Sequence, residues 1–187
     1  MQIYSQEKND LVGEVTVMKF NETKQYKKGS LGMRLVDDFL VNKGYVPYSP
    51  DAINKAHPFD RLVAKDNKKM IFIAEGKTKP ARIYYNDTGI DIKNYEEYQF
   101  IFKKYKLRIF LFFIDEDKKE IYGNWLYKLD KEKFEFDKKG RIIQYPFKQN
   151  NIIYFPLSSM ENVCKLTEEQ VEEIKKYSTR SEQYKDK

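Results

Sequence analysis

The chain has 187 residues, 41% hydrophobic and 16% aromatic, enough for a substantial core, so a single domain spanning 1–187 is expected. Its longest apolar run, Ile109 to Ile114, is far shorter than the roughly 20 residues of a membrane helix, and the N-terminus lacks a secretory apolar core; no membrane association and a cytoplasmic location are expected. The lone Cys164 excludes an intramolecular disulfide and a cysteine-built zinc cage, while 35 Lys+Arg against 29 Asp+Glu, a net charge of +6, favour a polyanionic partner.

In chain order, LVGEVTVMKF at 11–20 alternates as a strand does, and NETKQYKKG after it reads as a loop. Leu31, Leu35 and Phe39, with Val36 and Leu40, share one helical face, which predicts a first helix opened by Ser30 as cap and stopped at Gly44. Three extended pieces follow, Tyr45 to Tyr48, Phe59 to Ala64 and Met70 to Glu75, separated by SPDAINKAHP and KDNKK in the manner of a meander. A polar loop with Pro80 and Asn86-Asp87-Thr88-Gly89 leads to a second helix carrying Tyr95, Tyr98, Phe102 and Tyr105. Leu107 to Ile114 reads as a fully buried strand, and further strands are expected near Lys119 to Tyr127, Arg141 to Tyr145 and Ile152 to Phe155. Thr167 to Gln170 has the pattern of a capping box opening a short helix, and 178–187 reads as a mobile tail. The fold class is therefore α/β: a mixed central sheet flanked by helices, with additional C-terminal strands and a short helix.

The chemistry concentrates at MIFIAEGKTK. Residues two apart on a strand project from one face, so Glu75 and Lys77 point together beyond the strand end. Antiparallel pairing with the preceding strand would bring Asp60, 15 positions upstream, beside Glu75. Two carboxylates with open positions suit a hard cation such as Mg²⁺ or Mn²⁺, to which the carbonyl of Gly76 can add a ligand. Acid-x-Lys also occurs at Glu22/Lys24, Asp66/Lys68, Asp91/Lys93, Glu116/Lys118, Asp137/Lys139 and Glu173/Lys175. Only Glu75/Lys77 closes an apolar strand that follows another strand bearing an acid.

Over about 29–115 the chain resembles the PD-(D/E)xK nuclease superfamily, with its restriction-endonuclease-like core of helix, three strands, helix, strand. The resemblance rests on His57-Pro58-Phe59-Asp60 and Glu75-Gly76-Lys77. It implies Asp60 and Glu75 as metal-binding acids and Lys77 as the third catalytic residue of a phosphodiester hydrolase that depends on Mg²⁺ or Mn²⁺ and prefers DNA to RNA. Phe59 stands between the proline and the aspartate, and the first helix carries no glutamate, so Asp37 or Asp38 is the candidate for a third carboxylate. The alternative is a catalytically inactive nuclease-fold module that binds nucleic acid or a protein partner.

Lys79 and Arg82 are candidate nucleic-acid contacts and Gln99 on the second helix a weaker polar candidate. Tyr84 and Tyr85 could stack on bases. Asp115-Glu116-Asp117 reads as a solvated hairpin turn, His57 as a turn residue before proline, and Cys164 as packing. A homodimer would suit symmetric double-strand cleavage.

Overall fold

The computed structural model of the chain describes residues 22–50, 59–65, 70–82 and 84–178. The predicted strand at 11–20, His57, most of the two turn segments after Tyr48 and Lys65, and the tail beyond Ser178 lie outside them.

The first helix, α1 (Lys24–Asn42), starts about two turns earlier than its apolar face suggests. Thr23, not Ser30, is the cap, its side chain accepting from Tyr26 N at 3.2 Å. The segment expected to be a loop is thus helical over Lys24–Gly29; its side chains are mostly exposed, so no hydrophobic periodicity marks it. Downstream, Leu31, Leu35, Val36 and Leu40 are buried as the spacing requires. Beyond the helix end the chain turns through Gly44, whose φ of 75° suits glycine.

The main sheet has six strands. Strands β1 (Val46–Tyr48), β2 (Arg61–Lys65) and β3 (Met70–Thr78) form the expected antiparallel meander. After β4 (Asp87–Asp91) and α2 (Ile92–Tyr105), strand β5 (Arg108–Asp115) lies parallel to β3, with Phe72 opposite Arg108 and Gly76 opposite Phe112. β6 (Glu120–Trp125) and β11 (Glu161–Lys165) complete it antiparallel. This is a mixed sheet flanked by helices, and its first elements follow the helix, three strands, helix, strand order, with β4 interposed.

Alternation along β3 divides the core. Phe72 and Ala74 pack toward α1 and toward Val171 and Ile174 of α4 (Glu168–Lys175), which opens with the anticipated capping box at Thr167 and Gln170. Ile73 faces the other way, with Tyr98 and Ile101 of α2. The single tryptophan, Trp125, lies edge-on to Phe72 (5.2 Å between centroids) and Phe110 (5.1 Å), bridging β3, β5 and β6. Glycines let α1 approach β3: a Cβ at Gly32 would collide with Thr78 Oγ1, and one at Gly76 with Met33 Sδ.

Other boundaries differ from expectation. Asn86-Asp87-Thr88-Gly89 is not a polar loop, because Asp87 begins β4 and is fully buried, paired with Arg82 and accepting a hydrogen bond from Tyr145. The strand near Lys119 ends at Trp125, where Leu126–Leu129 forms a short helix, α3. β7 (Lys133–Phe136) and β8 (Ile142–Tyr145) form a hairpin of their own. β9 (Phe147–Gln149) and β10 (Ile152–Pro156) join β4 in a small second sheet. No helix among the described residues is long and apolar enough to cross a membrane.

Candidate active site

Asp60 immediately precedes β2, and Glu75 and Lys77 lie near the end of β3, one and three residues past the last β2 pairing at Arg61 and Ala74. Where the ladder stops, side chains take over its hydrogen bonding. Gly76 N donates to Asp60 Oδ2 at 3.0 Å, and Asp60 N donates to Glu75 Oε2 at 3.2 Å. Lys77 Nζ lies 2.8 Å from Glu75 Oε1. The reciprocal bonds hold the two acids side by side, and the same-face relation of Glu75 and Lys77 follows from the pleat.

The acids are crowded. Burial, reinforced by the like charge of Glu75, pushes the Asp60 carboxyl up to about 6, although the Gly76 N–H and the charges of Lys77 and Arg61 work to lower it. Burial works to lower the Lys77 pKa, but the charge and hydrogen bond of Glu75, with Asp60 and Asp91, prevail and raise it. Lys79 lacks such close compensation, and burial takes it down to about 8 despite Asp91.

From α2 a further residue reaches the pair. Tyr98, 1% exposed, neighbours Glu75, and burial together with the Glu75 charge raises its pKa well above the usual phenol range. At helical spacing from Tyr95 and Phe102 it reads from sequence as packing alone; only the tertiary fold brings it beside Glu75. The site opens into a cleft of about 570 Å³ whose walls include Tyr26, Lys28 and Ser30 of α1, Asp60, Arg61, Lys77 and Lys79. The α1 contributors fall largely in the stretch expected to be a loop, and Thr23, a good cap residue, was the available signal.

Several other candidates are placed elsewhere. Asp37 is engaged by Arg61 in a bidentate pair (3.0–3.1 Å), because Arg61 follows Asp60 directly and reaches across to α1. Asp38 is exposed, and it lines a different depression with Cys164 and Gln170. Neither joins Asp60 and Glu75, and no group of three His, Cys, Asp or Glu side chains able to hold a metal occurs among the described residues. Gln99 faces away from the cleft and hydrogen bonds to Asp130.

Arg82, a candidate nucleic-acid contact, is held within the fold. Its guanidinium binds both oxygens of buried Asp87 at 2.6 Å and packs against the rings of Tyr85 (4.1 Å) and Tyr154 (3.6 Å). Tyr85 is thereby occupied, while Tyr84 is exposed. The Asp115-Glu116 turn is buried rather than solvated. Asp115 accepts from Ala81 N and Tyr122 Oη, and Glu116 pairs with Lys28 at 2.5 Å. Cys164 is half-buried beside the α1 face, in keeping with packing.

No known family profile matches the chain, and no curated protein matches it. Among solved structures, the Holliday junction resolvase Hjc of the archaeal hyperthermophile Archaeoglobus fulgidus is similar at a TM-score of 0.47 and 10% identity. The likeness covers 70% of this chain and 90% of that one.

Proposed function

We propose that the chain is a divalent-metal-dependent nuclease that hydrolyses phosphodiester bonds, with DNA preferred to RNA and with Asp60, Glu75 and Lys77 as its catalytic residues. The observation that carries this reading is the convergence of these three side chains at one strand end, on the wall of an open cleft that also bears Lys28, Arg61 and Lys79. Two crowded carboxylates, one of them held up near 6, form a donor set that a hard cation would relieve, so the residues fit Mg²⁺ or Mn²⁺. Asp60 and Glu75 would hold the ion. Gly76 would add its carbonyl, which in a pleated strand points to the same edge as the N–H that Asp60 accepts. Bound there, the ion would supply charge to polarise the scissile phosphate and acidify a water.

Lys77 orients the attacking water and offsets charge developing on the phosphate, as its place beside Glu75 allows. Lys79, two residues on and lining the same cleft, contacts a flanking phosphate. Buried Tyr98, beside Glu75, steadies its carboxylate.

A second reading, a nuclease-fold module that binds without cutting, is favoured by one observation: among the described residues no third acid joins the pair. Labelled single- and double-stranded DNA and RNA, incubated with Mg²⁺, Mn²⁺ or EDTA, separate the two. Metal-dependent cleavage should fall by a factor of about 100 or more in Glu75→Ala and Lys77→Ala. Absence of cleavage, with binding that survives both substitutions, would establish the non-cleaving module.

A further inference from the structure

The β7–β8 hairpin presents two different faces. Its inner face is anchored: Lys133 and Glu135 bond to Ser158, and the buried Tyr145 donates through Oη to Asp87 at 2.8 Å. Its outer face carries Phe134, Phe136 and Ile142, which are 60%, 74% and 66% exposed. The register sets Phe136 opposite Ile142 and Phe134 opposite Gln144, so the alternation that buries one side of the hairpin gathers these apolar groups on the other. An apolar patch this exposed on a polar chain marks a contact surface.

Charge identifies the partner. Asp137 at the turn is 9% exposed, its carboxylate taken up by Lys139 N, Arg141 N and Arg141 Nε. Glu135 is tied to Lys133 and Ser158. Lys131, Lys138 and Lys139 point to solvent, and Arg141 remains 64% exposed while paired. Glu132, exposed beside the same face, accepts from Gln144, so against this one carboxylate the face offers Lys131, Lys138, Lys139 and Arg141, a net positive charge.

We propose that this face binds a stretched single strand of nucleic acid, with Phe134 and Phe136 stacking on bases while Lys138, Lys139 and Arg141 contact phosphates. Two residues along a strand separate the rings by about 6.8 Å. That is twice the roughly 3.4 Å spacing along one strand of a duplex, so successive bases meet both rings only when the strand is pulled open. The hairpin is rooted beside the cleft: Tyr145 shares Asp87 with Arg82, three residues beyond the cleft-lining Lys79. The proposal deepens the nuclease reading and rests on it for the choice of polymer.

The test is fluorescence anisotropy of a labelled 20-nucleotide single-stranded DNA and of its duplex, in EDTA, with the full chain. Phe134→Ala/Phe136→Ala should raise the Kd for the single strand roughly tenfold or more and change duplex binding little, whereas Phe134→Trp/Phe136→Trp should restore it. Both side chains are exposed, so circular dichroism should be unchanged. Undiminished single-strand affinity in the alanine variant overturns the proposal. So does a loss that tracks with dimer dissociation in sedimentation, which would make the face a contact between copies. Cleavage measured in parallel separates the two claims: metal-dependent cutting with hairpin-independent binding removes only the hairpin role, and hairpin-dependent binding without cutting removes only the nuclease reading.

Discussion

Asp60 carries the sharpest consequence of a single side chain. Its carboxyl sits near 6 in the folded chain against an ordinary 3.8, so between these values the folded state holds a proton that the unfolded chain has released. Stability contributed by Asp60 is therefore present below about pH 4 and is lost as pH rises through 6. Above that, the ionised pair is a standing cost. Asp60→Asn keeps an acceptor for Gly76 N and removes the charge; at pH 7.5 in EDTA it should raise stability by on the order of 2 kcal/mol, read as a higher thermal midpoint. The variant should also lose any rise in midpoint that Mn²⁺ gives the wild type, and a lower midpoint in EDTA would contradict the crowding argument. Binding of Mn²⁺ to the wild type should weaken as pH drops below about 6, where the metal-free Asp60 takes up its proton, and this is read as a smaller Mn²⁺-induced rise in midpoint. Tyr98→Phe leaves the packing and removes the hydroxyl beside Glu75. It should raise the cation concentration for half-maximal cleavage roughly tenfold, measured by Mn²⁺ titration, with a stability change of about 1 kcal/mol. Asp60, Glu75 and Lys77 are legible in the sequence because a strand end after an acid-bearing strand is a local pattern. Tyr98, Asp37 and Arg82 are not, since each owes its role to a partner that only the tertiary fold supplies: Glu75, Arg61 and the buried Asp87.

Among the elements, α1 and β3 set the width of the cleft. Gly32 lies against Thr78 Oγ1, a buried hydroxyl with no hydrogen-bond partner, and Thr78 follows Lys77 directly. In an exposed helix Gly→Ala would gain up to about 1 kcal/mol, but here the added methyl must push the helix and strand apart. Gly32→Ala is expected to lose about 1–3 kcal/mol in urea unfolding and to reduce cleavage by displacing Lys77. A stability gain would show that the interface yields freely. The two long helices and the central strands could be read from periodicity. Lys24–Gly29 could not, because exposed helical residues need no apolar rhythm; β7 and β9 are short and interleaved with charge, and β4 begins with an aspartate whose partners come from outside it.

For the molecule as a whole, what the sequence withholds is strand order, since nothing local in β3 specifies that its neighbour will be β5. That parallel pairing gives the protein an order of assembly. The Asp60–Glu75 contact belongs to a meander closed by near neighbours and can form early, whereas β5 must return to β3 across the whole crossover that contains β4 and α2. The acids can therefore meet before the wall that excludes water from beneath them exists. Trp125 packs on Phe72 from one side of this seam and on Phe110 from the other. As the only tryptophan in the chain it is a built-in clock for refolding, silent while the meander forms and changing its emission when the seam shuts.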